Sequence, residues 1–286
     1  MGLDDMANNL SGINAEIYNQ AELIEQIIDT FNKKTESIED MLIMGTIKTY
    51  ENSNIKNIGN YAFDRCYDLT TVSFPNCITI GNSAFQNCLN LTSVSFPVCT
   101  SIGNYAFNNC SKLTSVSFPE CTILNQGAFY DCDNLAFVNF PKCTNISIYA
   151  FAFCSKLTSV SFPECTIINQ GAFSNCSSLT SVNFPNCTTI NRNTFYNCYS
   201  LTYVSFPNCI TIDSNTFYSC YNLSQVYLTG SSLCILSNSN AFTSTPFMGY
   251  SSYFSGTPYI YVPESLVTSY QNATNWTYFS SYIVGI

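Results

Sequence analysis

Residues 91–112 read LTSVSFPVCTSIGNYAFNNCSK, and this 22-residue unit recurs along the chain with few changes. Seven full units fill residues 69–222, a degenerate copy precedes them, and another begins after them. The leading leucines are Leu69, Leu91, Leu113, Leu135, Leu157, Leu179, Leu201 and Leu223. A fixed period of about 20–50 residues is typical of repeat proteins whose units stack in one direction. The sequence therefore predicts a solenoid.

Each unit begins with a pattern that indicates a short strand. Val94 and Phe96 are two residues apart, so on a strand both side chains face one side. Ser93 and Ser95 then face the other side. Pro97 ends the strand because proline has no N–H to continue a hydrogen-bonded ladder. We expect the apolar side of each strand to face the core and the serine side to face outwards.

The remainder of the unit predicts a second short extended or turn segment around Ile102 and a tight or helical turn at Ala106 and Phe107. One unit cannot bury its apolar side alone, whereas stacked units would bury a continuous core. Stacking aligns two columns of phenylalanine: Phe74, Phe96, Phe118, Phe140, Phe162, Phe184 and Phe206, and Phe63, Phe85, Phe107, Phe129, Phe151, Phe173, Phe195 and Phe217. The predicted fold is a leucine-rich-repeat type solenoid, mainly β with short turns or helical turns.

Cysteine follows the same period. Fifteen of the sixteen cysteines recur every 11 residues from Cys66 to Cys220, and Cys234 is the exception. Zinc sites use closely spaced pairs such as CxxC, often with histidine, and the sequence has neither. Side chains in a ladder run parallel and would have to twist towards each other to form disulfides. We therefore expect buried free thiols and no metal.

The residue types needed for catalysis are largely missing. The chain has no histidine, which removes Ser-His-Asp and Cys-His catalytic sites. Asp131 and Asp133 are the nearest candidates for a carboxylate pair, but they occupy a repeat turn and are interpreted as solvated turn residues. No phosphate-binding glycine loop occurs. We expect a protein that is not an enzyme and has no cofactor.

Charge and hydropathy limit the partners further. Only 9% of residues are charged, the net charge is −9, and the basic residues are not clustered. Nucleic-acid binding requires clustered Lys and Arg, so it is not expected. No segment has the roughly 20 apolar residues that cross a bilayer, so no membrane insertion is expected. The opening residues MGLDDMANNL lack the features of a secretory signal peptide.

Residues 8–43 have the periodicity of a helix, and residues 1–45 are predicted to form a separate N-terminal segment. Apolar residues recur at heptad spacing, which favours a coiled coil and, because isoleucine dominates, a homotrimer. The predicted oligomerisation residues are Leu10, Ile13, Ile17, Ile24, Ile27, Phe31 and Ile38. The alternative is a single amphipathic helix that caps the first coil.

The other end of the chain loses the repeat. Residues 46–234 are assigned to the solenoid and residues 235–286 to a C-terminal cap rich in tyrosine and serine. Within the cap, residues 259–263 read as a strand and residues 264–271 as a short helix that follows a proline.

Most outward strand positions carry Ser, Thr or Asn, and a few carry aromatic residues instead. Phe137, Tyr203 and Tyr227 depart from the pattern on the strands, and Tyr199 and Tyr221 depart from it on the turns. Exposed aromatic residues on an otherwise polar surface are typical contacts for a protein or glycan receptor. These five residues are the candidate binding residues; the alternative is local packing or loss of repeat fidelity near the cap.

The unit LTSVSFPxCTxIxxxAFxxCxx resembles the BspA-like leucine-rich repeats over roughly 190 residues, and residues 257–283 resemble the terminal module of such proteins. The resemblance implies a surface protein linked to adhesion. A heptad helix leading into a binding module is also similar in layout to phage tail or receptor-binding proteins, which assemble in the cytoplasm. We therefore expect an adhesion or receptor-binding protein at a virion or cell surface. The alternative is a structural or intracellular scaffold that binds a partner protein.

Overall fold

The computed structural model describes residues 48–249 and 256–286. The predicted N-terminal helix at residues 8–43, with its seven oligomerisation residues, lies outside the described residues. It stays a prediction.

Two ladders of short parallel strands run the length of the described solenoid. The first ladder, which forms the strand side, contains β1 (Thr49–Glu51), β3 (Thr71–Ser73), β5 (Ser93–Ser95), β7 (Ser115–Ser117), β9 (Phe137–Asn139), β11 (Ser159–Ser161), β13 (Ser181–Asn183), β15 (Tyr203–Ser205), β17 (Gln225–Tyr227), β19 (Tyr259–Val262) and β20 (Ile283–Gly285). The second contains β2 (Asn57–Ile58), β4 (Thr79–Ile80), β6 (Ser101–Ile102), β8 (Ile123–Leu124), β10 (Asn145–Ile146), β12 (Ile167–Ile168), β14 (Thr189–Ile190), β16 (Thr211–Ile212) and β18 (Ile235–Leu236). Within the repeats, each paired residue lies opposite the residue 22 positions further along the chain. The solenoid prediction is confirmed.

The turns that close each coil form a third side, the turn side. They are also hydrogen-bonded from coil to coil: the Phe63 N–H donates to the Ala84 carbonyl at 2.7 Å, and the Phe85 N–H donates to the Ala106 carbonyl at 2.7 Å. Successive coils are thus joined on three sides, except at two steps of the described solenoid where the strand side is unpaired. The backbone groups that a short 22-residue coil cannot pair internally are satisfied by its neighbours.

The two predicted phenylalanine columns form the centre of the core. Phe85 and Phe107 stack with ring centroids 5.1 Å apart, and Phe96 lies against Phe85 in a T-shaped contact at 5.9 Å. Offset-stacked and edge-to-face pairs are the arrangements that aromatic rings prefer. Because both contacts repeat along the solenoid, each coil packs against the next in the same way.

All sixteen cysteines are buried and none forms a disulfide, as predicted. One ladder of thiols donates to carbonyls of the preceding coil, as from Cys88 to Phe63 at 3.1 Å. The thiols of the other ladder donate to the carbonyl two residues ahead in the chain, as from Cys99 to Ser101 at 3.3 Å. Burial raises the pKa of Cys99 to about 12, so its thiol stays protonated. These cysteines act as small apolar fillers with weak donors.

Cys234 breaks the 11-residue spacing because the last repeat coil is longer. Ile212 pairs with Leu236, which is 24 residues ahead. The Cys234 thiol then lies 3.4 Å from the Cys209 thiol.

The C-terminal residues close the solenoid. Beyond β18, 3-10 helices span Ser239–Phe242, Pro246–Met248, Glu264–Leu266 and Trp276–Tyr282, and α1 spans Val267–Asn272. The Trp276 indole N–H donates to the Cys234 carbonyl at 2.7 Å, and the Tyr270 hydroxyl accepts from the Cys234 N–H at 2.9 Å. Both side chains are fully buried.

The predicted strand at residues 259–263 and the short helix at residues 264–271 are both confirmed. β19 and β20 extend the strand side past the last repeat, since β19 pairs with β17 and β20 pairs with β19. The division into an N-terminal segment, a solenoid ending at residue 234 and a cap remains a prediction. Among the described residues, no helix is both long enough and apolar enough to span a bilayer.

Candidate functional site

The strand side carries the strand residues that point outwards, which alternate along each strand with residues that face the core. Ser93, Ser95, Ser115 and Ser117 are exposed, and none of the predicted outward strand residues is buried. The outward orientation is therefore confirmed. The result is a surface of hydroxyl and amide groups with few charges.

The strand side is interrupted at two places. β5 does not pair with β7, and β11 does not pair with β13, whereas the second ladder is continuous. Across a paired step the Phe74 N–H donates to the Ser95 carbonyl at 3.0 Å. Across the two interrupted steps of the described solenoid, the N–H groups of Phe96 and Phe162 have no such bond to the next coil. Each split therefore leaves backbone donors and acceptors unpaired within the ladder.

Each split opens a groove on the strand side. Val94 and Val160, which precede the splits, are half-buried, whereas Val116 is only 2% exposed. The groove at β5 and β7 has a volume of about 360 Å³, and the groove at β11 and β13 about 340 Å³. Serines of the two adjoining strands line each groove. Both grooves are open to solvent, and none of the described residues that line them is Asp, Glu, Lys, Arg or Cys.

An aromatic side chain closes the same end of each groove. Phe137 on β9 lines the first groove, and Tyr203 on β15 lines the second. The two aromatic residues are 66 residues apart, which is three coils, and the two splits are separated by the same interval. Two of the candidate residues thus occupy equivalent places in a groove that occurs twice.

The tyrosines at the C-terminal end of the strand side form one cluster. The ring centroids of Tyr203 and Tyr227 are 5.1 Å apart, and those of Tyr227 and Tyr261 are 4.3 Å apart. Burial, followed by the neighbouring Tyr261 and Tyr203, raises the pKa of Tyr227. Tyr261 was not among the candidates. Its place in the sequence, on a predicted strand outside the repeat, did not reveal which coil it would face.

The two turn candidates form a separate pair. Tyr199 and Tyr221 stack with ring centroids 5.3 Å apart and nearly parallel planes. They lie on the turns before β15 and β17. The five candidates are therefore distributed over the Phe137 groove, the Tyr203 and Tyr227 cluster, and this stacked pair.

A third cavity, on the turn side, was not predicted. It has a volume of about 440 Å³, and Tyr130, Phe153 and Tyr196 are among the residues that line it. The signal was present in the sequence, because Phe153 occupies a position where four other coils have asparagine. The alternation that locates outward strand residues does not extend to the turns, so it gives no prediction for this position.

Asp131 and Asp133, the carboxylate pair considered from the sequence, lie on one turn. Asp131 is half-buried and Asp133 is exposed. Burial, followed by the charge of Asp133, raises the pKa of Asp131. The Ser155 hydroxyl donates to Asp133 at 3.2 Å, which joins one turn to the next. In the part of the chain that the structure describes, no group of three or more His, Cys, Asp or Glu could hold a metal ion.

Solved structures share this architecture. A leucine-rich cell surface protein from Faecalibacterium prausnitzii A2-165 is 21% identical with a TM-score of 0.52. The alignment covers 67% of this chain and 66% of that one, just under two thirds of its length. A leucine-rich repeat protein from Bacteroides ovatus ATCC 8483 is 18% identical with a TM-score of 0.47, over 86% of this chain and 85% of that one. The first similarity supports the fold alone. No curated protein matches the chain significantly.

The family model described as BspA type leucine-rich repeat region matches residues 44–157 and 144–261, in six copies. The two matches together cover well over half of the chain and include every full 22-residue unit. The repeated strand, proline, isoleucine, Ala-Phe and cysteine that the sequence shows are the elements that the structure places in each coil. The chain belongs to the BspA type leucine-rich repeat family.

Proposed function

We propose that this chain is a non-enzymatic adhesion protein that binds a receptor protein through its strand side. The observation that carries the proposal is the pair of equivalent grooves, each with a split in the strand ladder and an aromatic residue at the same end. A surface that repeats one site after three coils is suited to an extended partner that contacts both sites.

The split strands supply hydrogen bonds to such a partner. Unpaired backbone N–H and C=O groups are costly when they lose water without gaining another partner. An extended peptide segment carries donors and acceptors in its own backbone and can supply partners to these groups. The grooves therefore favour a protein ligand over an apolar small molecule.

Phe137 and Tyr203 are the expected anchors of the interface. Aromatic residues dominate the binding energy of many protein interfaces, whereas the surrounding polar contacts contribute less. At about 4.8 Å per coil, the two aromatic residues are separated by about 14 Å along the solenoid. A peptide of a few residues in extended conformation spans that distance when it lies along the solenoid axis and crosses the strands.

Location and assembly complete the proposal. The similar structure from Faecalibacterium prausnitzii is that of a cell surface protein, which supports a role at a cell surface. A role as a virion tail component stays a prediction from the layout of the sequence. A homotrimer formed through residues 8–43 would present three strand sides and raise the avidity for a receptor that has several binding sites. The other predicted receptor class, glycans, suits the turn side better than the strand side.

The strand-side proposal is tested with peptides selected from a random phage-displayed library on the intact chain. The affinity of the selected peptides is then measured for the Phe137→Ser/Tyr203→Ser variant. Serine occupies the equivalent strand position in neighbouring coils, so the fold should be retained. We expect at least a tenfold loss of affinity, and no loss in Tyr278→Ser, which removes an exposed aromatic residue outside the strand side. Unchanged affinity in the double variant, or no selected peptide at all, contradicts the proposal.

The homotrimer is tested separately by sedimentation equilibrium of the intact chain. A mass three times that of one chain supports it. A monomer at micromolar concentration rules it out and leaves the capping helix as the interpretation of residues 8–43.

A further inference from the structure

The turn-side pocket is built by a local change in residue size. At one turn position, successive coils carry Tyr130, Ala152, Ser174 and Tyr196. Two small residues therefore lie between two tyrosines, and the small residues leave a depression of about 440 Å³. That volume falls within the range of about 300–1,000 Å³ that is typical of small-molecule sites.

Phe153 adds a third aromatic wall in an unfavourable backbone conformation. Its φ angle is +65°, and its ring lies 5.2 Å from that of Tyr130. Residues at this turn position all have positive φ, and the others are Arg65, Asn87, Asn109, Asp131, Asn175, Asn197 and Ser219. Positive φ is tolerated by asparagine but is rare for bulky residues. Positive φ also occurs at Tyr61, Tyr105 and Tyr149, so Phe153 is distinguished by its polar counterparts at this turn position and by a ring that is 41% exposed.

Phe153 also interrupts a ladder of amides. In neighbouring coils the Asn109 side chain donates to Asn87 at 3.0 Å, and the Asn197 side chain donates to Asn175 at 2.9 Å. A phenylalanine cannot take part in such a ladder. The hydrogen bonds that asparagine makes at this position are thus replaced by a partly exposed ring that contacts Tyr130.

Polar groups complete the pocket. Asn193 and Asn175 line it beside the aromatic residues. The side-chain oxygen of Asn193 is buried and has no hydrogen-bond partner, the one such atom found among the described side chains. An unsatisfied buried oxygen is costly. A small rotation of this amide would let a ligand hydroxyl in the pocket donate to it.

The chemistry of the lining selects the ligand. Every residue that lines the pocket is uncharged. Asp131 follows Tyr130 in the chain, and its negative charge disfavours phosphate or carboxylate groups nearby. Aromatic walls suit the flat, C–H-rich face of a sugar ring, while amide and hydroxyl groups suit its hydroxyls.

We propose that the pocket between Tyr130, Phe153 and Tyr196 binds one uncharged pyranose unit of a glycan, with its ring stacked on the aromatic walls. The site lies on the turn side, and it is independent of the strand side to which the receptor protein is assigned. The two surfaces share no residue.

The test uses saturation-transfer NMR on the intact chain with methyl glycosides of glucose, galactose, mannose, fucose, N-acetylglucosamine and N-acetylgalactosamine. We expect transfer to at least one glycoside. The variants are Phe153→Asn and Tyr196→Ser, which introduce the residues found in other coils at the same positions and should fold. Each variant should raise the dissociation constant for the bound glycoside at least tenfold. Tyr203→Ser on the strand side is the control and should leave it unchanged.

Two results overturn the sugar site: no transfer to any of the glycosides, or equal transfer in the intact chain and both variants. Binding of the selected peptides to Phe153→Asn separates the two proposals. Peptide affinity should persist in that variant, and sugar binding should persist in Phe137→Ser/Tyr203→Ser.

Discussion

The Tyr149 ring lies directly over the backbone of Gly171 in the next coil. A Cβ atom on Gly171 would clash with Cε1 of Tyr149, and the Gln170 side chain donates to the Tyr149 hydroxyl at 3.0 Å. Tyr105 covers Gly127 in the same way, with a hydrogen bond from Gln126 at 2.8 Å. Large and small residues thus alternate between coils at this position.

Gly171→Ala should therefore destabilise the fold. The new methyl group collides with the Tyr149 ring, and the φ of +63° disfavours an L-residue, so we expect a loss of about 2 kcal/mol. The matched control is Gly59→Ala, where a Cβ meets nothing within 4 Å and the change should stay within about 0.5 kcal/mol. Urea unfolding measures both, and equal stabilities of the two variants would contradict the expected role of the contact.

The phenylalanine columns predict that a Phe→Ala substitution costs much more stability in the core than on the strand side. Phe107 is fully buried, whereas Phe137 is 42% exposed on the strand side. Phe107→Ala should lower the free energy of unfolding by about 3–5 kcal/mol because it leaves a cavity in the core. Phe137→Ala should change it by about 0.5 kcal/mol. Thermal unfolding of both variants measures the two changes in stability. A similar loss of stability at both sites would show that Phe137 packs as a core residue.

The buried thiols predict that stability falls at alkaline pH. Burial raises the pKa of Cys99 and Cys187 to about 12 and that of Cys143 to about 11. An unfolded thiol loses its proton near pH 8.5, so above that pH the unfolded state binds fewer protons than the folded state. Each such thiol then lowers the free energy of unfolding by about 1.4 kcal/mol per pH unit.

Urea unfolding under reducing conditions at pH 7.5, 8.5 and 9.5 measures this effect. The stability contributed by the thiols should be fully present at pH 7.5 and should decrease by pH 9.5, before most tyrosines titrate. A constant free energy of unfolding over this range would show that the thiols are accessible to water in the folded protein.

The two splits in the strand ladder predict uneven hydrogen exchange. The N–H groups of Phe118 and Phe140 donate to the next coil at 3.0 Å, whereas those of Phe96 and Phe162 make no such bond. We expect at least tenfold faster exchange at Phe96 and Phe162, measured by NMR. Equal protection at all four amides would mean that the ladder is continuous in solution, and the grooves would lose their unpaired backbone groups.

The coil, its register and its core follow from the sequence because the strand pairs and the ring stacks of the repeats join each residue to its counterpart in the adjacent coil. The 22-residue interval alone aligns Phe85 with Phe107, and the 11-residue interval alone predicts the two thiol ladders. The outward positions of Phe137, Tyr203 and Tyr227 also follow from the sequence, because successive side chains of a strand point to opposite faces.

What only the tertiary structure decided is which neighbouring strands pair and which surface residues meet. Residues 93–97, 115–119 and 159–163 all read SVSFP, yet β5 and β11 lack a bond to the following strand and β7 has one. Pairing depends on the distance between two coils, and that distance is set by packing throughout both of them. The turn-side pocket likewise requires four successive coils to bring Tyr130 and Tyr196 to its two ends, which no single repeat encodes.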